Sequence, residues 1–258
     1  MAAAGCAVGS FLLIIDLGLP ERFANTLRVF RPSSPMNMGS WVLETTAPLA
    51  AGSALLGGVD GFLGAVGGAA GYGAGLLGLP LAGYTAVLIS STAVPVWQDT
   101  RRVSPPLFVA SAVTAAASLL QLLGKTRREA RIVRTFAVAG SVAELASSYA
   151  LDRAGGRVEQ VGKPLHEGRS GALLKAAKAC TAASLAFSLV SGKRRWASVA
   201  ARVLGTAGAL AVKFGLFEAG KAPAADPRAT FQQQREGRGG REVTGKTAVT
   251  APGQAVVS

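Results

Sequence analysis

Apolar residues along this chain come in long, nearly unbroken runs, with polar and charged residues gathered in short clusters between them. That pattern is neither the alternation of a half-buried strand nor the three-to-four spacing of a surface helix. The first run, Ala2 to Ile15, ends at Asp16 and opens a polar connection containing Pro20, Arg22, Arg28, Arg31, Pro32 and Pro35. A second run begins near Trp41 and continues to about Gly58. Glycine is so dense from Gly58 to Gly75 that helix propensity there is weak, and the segment reads as a re-entrant or interfacial turn around Asp60. A third span is predicted from about Leu76 to Val96, with Pro80 near its start and Pro95 near its end. Pro105 and Pro106 suit the first turn of a fourth, which runs to about Gly124, because amides there have no intrahelical partner. Lys125 to Arg134 is a basic cluster, and the fifth span follows it to Ala150; the sixth runs from Gly171 to Ser191 and the seventh from Ala197 to Phe217.

Most of these runs are about 18 to 22 residues long, the length a helix needs to cross roughly 30 Å of hydrocarbon. The first is shorter: from Met1 to Asp16 a helix extends only about 21 Å, so a fragment, a misassigned start or a helix only partly embedded is expected. The fold class is therefore all-α, a polytopic transmembrane helix bundle of about six full spans plus a partial N-terminal one. Residues 1–220 form the bundle, and 221–258, low in bulky apolar residues, are expected to be a disordered polar tail.

Composition agrees: 50% of the 258 residues are hydrophobic and 16% are charged, against roughly 25% charged in soluble domains. Glycine, at 33 residues, lets helix backbones approach closely where Leu gains little over lipid. The net charge of +13 could suggest nucleic acid, but the basic residues sit in connections and in the tail, where membrane-flanking Lys and Arg belong. Nucleic acid is not an expected partner; membrane lipid is. No basic n-region precedes the first apolar run, so no signal peptide is visible. On alternating sides, one face collects Arg22, Arg28, Arg31, Arg101, Arg102, Arg153, Arg157, Lys163 and Arg169. The other collects the Lys125–Arg134 cluster and Lys193 to Arg195. The first face carries more and is assigned to the cytoplasm of a bacterial cell membrane.

Candidate chemistry is sparse. Gly73, Gly75 and Gly78 fit a dinucleotide-loop spacing, but without the strand and soluble helix that motif requires. Cys6 and Cys180 lie in apolar stretches, far from any zinc or iron–sulfur spacing. A b-type haem held by two imidazoles needs more than His166, the only histidine, which falls in a polar loop. Neither haem nor an iron–sulfur cluster is expected in this chain. Ionisable groups inside spans are costly and mark a functional site or a structural pair. Glu144 is the clearest, in mid-span, and a candidate for proton handling or a structural hydrogen bond; Glu44, near a membrane face, is a second candidate for proton handling or an interfacial residue, and Lys213 and Glu218 sit in the last turns of the final span. Tyr84 could donate a hydrogen bond to a quinone carbonyl, with Gly83 leaving room for its ring; the alternative is an interfacial aromatic.

Three stretches together resemble the NrfD-type polysulphide reductase membrane subunits. The first is Asp16 to Phe23 (DLGLPERF), continuing through Leu27 to Met36 (LRVFRPSSPM) and Gly39 to Trp41 (GSW). The second is Gly83 to Ser90 (GYTAVLIS) with Thr92 to Trp97 (TAVPVW). The third is Phe217 to Gly220 (FEAG) with Asp226 to Arg228 and Gln234-Arg235. The chain departs from the family at Leu19, usually Arg, and at Ala86, usually Gly, and is expected to begin partway through the family's second span. The resemblance implies a membrane anchor that exchanges electrons between a partner iron–sulfur subunit and the quinone pool, menaquinone or ubiquinone, beside a molybdopterin catalytic subunit. It makes Tyr84, with Gly83, the best candidate for the quinone contact, and Asp16, Arg22 and Trp41 structural or docking positions. A secondary transporter or channel would explain Glu144 and the Gly- and Pro-interrupted spans, though no internal repeat supports it. A purely structural anchor without a quinone site would fit the short start.

Overall fold

A computed structural model describes residues 2–16, 28–92, 94–121, 127–155, 164–190 and 195–225. The described residues are helices and short connections: α1 (Ala2–Asp16), α2 (Pro35–Leu56), α3 (Phe62–Ser90), α4 (Pro95–Asp99), α5 (Ser104–Leu120), α6 (Arg127–Gly155), α7 (Gly168–Val190) and α8 (Arg195–Ala225). The all-α expectation holds. Three helices are long and apolar enough to cross a membrane by length and composition: α3, α7 and the Trp196–Lys221 part of α8; α1 and α5 are shorter apolar helices. Leu19, Arg22, Arg157, Lys163, the Lys193-Arg194 pair and the expected disorder of 226–258 fall outside the described residues. The last helix continues to Ala225, five residues past the boundary drawn at 220.

The Gly-rich segment does not turn back. Phe62 to Ser90 is one helix of 29 residues, about 43 Å long, and the turn is confined to 57–61, where Gly61 takes a positive φ of 80°. Low propensity is overridden for two reasons. Backbone amides in hydrocarbon have no water to turn to, so unwinding is costlier than glycine's entropy. The glycines are also packed: a Cβ on Gly67 would lie 2.6 Å from Gly57 N, and one on Gly71 2.7 Å from Ser53 Oγ. Glycine here is the condition for α2 and α3 to lie side by side.

The third span also ends early. Ser91 Oγ and Thr92 Oγ1 donate to the carbonyls of Val87 and Ile89, and Val94 is extended (φ −76°, ψ 119°), as the residue before a proline prefers. Pro95 then opens the short helix α4 rather than closing α3. Pro105 and Pro106 lie in the first turn of α5 as expected.

Helix α8 packs against α7 and α5, α6 against α5 and α7, α3 against α2 and α5, and α1 against α2. The main core joins Ala86 of α3, Val96 of α4, Leu107 and Phe108 of α5, Leu151 of α6, Leu174 of α7 and Leu216 of α8. A second cluster, centred on Cys6, Leu43 and Ala50, holds α1 to α2 and α3.

Candidate functional site

Helices α1, α2 and α3 enclose a cleft of about 700 Å³, within the range of small-molecule sites. Its lining is mostly apolar or backbone: Gly5, Cys6 and Gly9 of α1, Leu43 and Ala50 of α2, Gly75, Gly78 and Leu81 of α3. Between Gly39 and Ser53, both of which line it, α2 rises about 21 Å. Tyr84 and Gly39 mark one end of that length, Ser53 and Gly71 the other. Carbon surface of this extent with a phenol at one end suits a long apolar molecule with a polar head.

Local sequence sets the tyrosine's position. Ser34 caps α2, its Oγ accepting from the Asn37 amide, and Pro35 opens the first turn. Asn37 ties the preceding loop down: its Oδ1 accepts from Arg31 N at 2.7 Å and its Nδ2 donates to Val29 O at 2.9 Å. Two residues on, Gly39 faces the Tyr84 ring so closely that any Cβ would overlap it. The Tyr84 hydroxyl donates to Met36 O at 3.1 Å. Thus the ring lies across the first turns of α2, with its donor engaged by a backbone carbonyl.

The other sequence candidates scatter. Gly83 is buried, but its close approach is to α5: a Cβ there would lie 3.0 Å from Val109 Cγ2 and 3.4 Å from Pro105 O. Room for the ring therefore comes from Gly39, whose place in the first motif gives no sign of that task. Gly83 instead seats α3 against α5. Glu44 is half-buried on α2 and does not line the cleft. Glu144 lies in the α5–α8 half, 1% exposed, accepting from Thr181 Oγ1 at 3.1 Å. Lys213 of α8 is its charged neighbour. Glu218 pairs with Lys221 at 2.5 Å, and His166 is exposed. Trp41 packs edge-on against Phe30, centroids 5.8 Å apart. Among the described residues, no three His, Cys, Asp or Glu side chains converge as a metal site.

The described parts of the three stretches singled out in the sequence meet in space. Gly39 and Met36, from the first, hold Tyr84, from the second. Trp97, at the end of the second, donates from Nε1 to Leu216 O at 2.8 Å. It also stacks on Phe217 of the third, centroids 6.2 Å apart and planes 21° apart. Gly220 lies directly against the indole, which a Cβ would overlap. Because α2, α4 and α5 begin on the face where α3 and α8 end, these contacts crowd one end of the bundle.

No curated protein and no solved structure matches the chain. The NrfD_2 family, described as polysulfide reductase, matches residues 1–224, which include the cleft, Tyr84 and the Trp97–Gly220 contact. With most of its length covered and its motif segments joined in one arrangement, this membrane protein belongs to the NrfD-type polysulfide reductase family.

Proposed function

We propose that this chain is the quinone-exchanging subunit of a respiratory complex in a bacterial cell membrane. Membership of the family supports the coarser statement, a membrane subunit of a redox complex. In the finer reading, a partner iron–sulfur subunit, itself served by a molybdopterin subunit, passes electrons to or from menaquinone or ubiquinone in the α1–α3 cleft. Reduction of one quinone takes two electrons from that partner and two protons from the aqueous phase; oxidation returns them. The chain's own contribution is to bind, orient and exclude water.

The observation that carries this reading is the cleft with Tyr84 at its end. A prenylated quinone is a flat polar head on a long apolar tail, and the cleft has a phenol where a head would sit and glycines where a tail would lie. When a quinone carbonyl arrives, the Tyr84 hydroxyl turns from Met36 O to the ligand.

The test uses the purified chain in lipid nanodiscs, titrated with a menaquinone analogue that quenches tryptophan emission. Gly75 and Gly78 line the cleft, and a Cβ on either meets nothing within 4 Å, so Gly75→Leu and Gly78→Leu place carbon in open space. Saturable quenching should appear in the wild type and be lost in both variants. Quinone binding undiminished with the cleft filled would end the proposal. In the assembled complex, Tyr84→Phe should weaken quinone turnover.

A further inference from the structure

Glu144 lies in a second, separate part of the bundle, since the residues lining the quinone cleft all belong to α1–α3. Its burial is nearly complete, yet only one carboxyl oxygen is engaged: Oε1 accepts from Thr181 Oγ1, and Oε2 has no hydrogen-bond partner. A carboxyl retained only for packing would be expected to have both oxygens satisfied. The surroundings are unusual for hydrocarbon depth. Ser141, Glu144 and Ser148 share one face of α6; Ser111, Thr114 and Ser118 share a face of α5; Thr181, Ser184 and Ser188 share a face of α7. All nine are buried. Helix α8 meets this polar seam with glycines, Gly205 against Ser118 and Ser184 and Gly208 against Thr181.

The groups facing Glu144 are hydroxyls from two helices and one amine. Thr114 of α5 and Thr181 of α7 approach it, and Lys213 of α8 is the charged group within range. A hydroxyl both donates and accepts, so Thr114 and Thr181 can turn to serve a carboxylate or a carboxylic acid alike. Lys213 makes the ionised form tolerable without a direct contact, since no salt bridge joins the two among the described residues. The seam also leads outward. Glu144, Ser148 and Asp152 follow one another at intervals of four along α6, each step about 6 Å of rise. Asp152 is partly exposed, paired with Lys178 at 2.5 Å. Steps of that length exceed a direct hydrogen bond, so proton exchange along them would run through intervening water.

We propose that Glu144 is a site of reversible protonation inside the membrane, exchanging protons with the face that carries Asp152 by way of Ser148. The side chain takes up and releases one proton with no other covalent change.

The experiment uses the full chain in nanodiscs, treated with dicyclohexylcarbodiimide, which attacks carboxyls only in their protonated form. The acid O–H adds across a C=N bond, and the adduct rearranges to a stable N-acylurea detectable by peptide mass. Glu144 should carry the adduct, more rapidly at lower pH, and the adduct should disappear in Glu144→Gln. The protonated carboxyl should also give an infrared C=O band that shifts in D2O. Both measurements on the wild type decide the matter even if Glu144→Gln folds poorly. Asp152→Asn and Ser148→Ala should keep the adduct while slowing the D2O shift. A wild-type chain with neither adduct nor band would show a carboxylate held permanently ionised beside Lys213 and overturn the site. An unslowed shift in both relay variants would overturn the route.

Discussion

Gly39→Ala isolates the contact on which the cleft's head end depends. The new methyl lands inside the Tyr84 ring, so the phenol must leave the position in which its hydroxyl reaches Met36 O. Overpacking of this kind costs about 1–3 kcal/mol, and loss of the hydrogen bond about 1 kcal/mol more. Against these, alanine in mid-helix is favoured over glycine by roughly 0.8–1.0 kcal/mol. The net destabilisation expected is about 1–3 kcal/mol, the sum of overlap and lost bond less propensity. The same change in a Tyr84→Ala background meets an empty space, so only propensity remains and the sign reverses to a gain of up to about 1 kcal/mol. Reversible unfolding in mixed micelles, followed by circular dichroism, measures the four corners of the cycle. The coupling should be about 2–4 kcal/mol, larger than that of most neighbouring pairs. Equal costs of Gly39→Ala in both backgrounds would mean that the ring does not lie on Gly39, and the account of the head end would fall with it.

Trp97→Phe removes the donor to Leu216 O while keeping an aromatic surface for Phe217; it should destabilise the α4–α8 contact by about 1–2 kcal/mol, measurable by the same unfolding assay. Gly208→Ala sets a Cβ 2.7 Å from Thr181 Oγ1 and should cost about 1–3 kcal/mol by prising α8 from α7. Its counterpart Gly5→Ala, where a Cβ meets nothing within 4 Å, should be neutral or slightly stabilising in that assay. Asp152→Asn breaks a half-exposed ion pair with Lys178, so its cost should stay under about 1 kcal/mol and shrink further at high salt.

What could be read directly from the sequence was what a bilayer imposes on every helix alike. Long apolar runs and the paired prolines opening α5 report local constraints, and the structure places them as expected; of the basic connections, Arg127 to Arg134 instead open helix α6, and others fall outside the described residues. The Gly-rich stretch and the end of the third span differ from expectation because context outweighs local preference there. Glycine density from Gly58 to Gly75 signals a break in water, whereas in lipid, with α2 alongside, it signals close approach. Pro95 could end one helix or begin the next; the extended Val94 before it decides for the second. Within the candidate site, the residue type and setting of Tyr84 fit an interfacial aromatic as well, and it is the family resemblance that singles it out. The division of labour between Gly39 and Gly83 was not legible, since which glycine touches which neighbour is a property of helix rotation. Glu144 stood out as an ionisable residue in mid-span, but the hydroxyl faces around it emerge only once α5, α6 and α7 are rotated against one another.

The bond from Tyr84 to Met36 O bears on how the cleft would choose among ligands. A hydroxyl already satisfied in the resting protein gains little when it swaps one carbonyl acceptor for another, so the phenol contributes small net affinity. A ligand with no acceptor at that point leaves the phenol where it was and meets no penalty from it; one that displaces the hydroxyl without offering an acceptor costs the Tyr84–Met36 bond, about 1 kcal/mol. If the cleft holds the quinone proposed for it, Tyr84 would act as a discriminator among occupants, while tightness of holding would fall to the greasy remainder of the molecule along α1–α3.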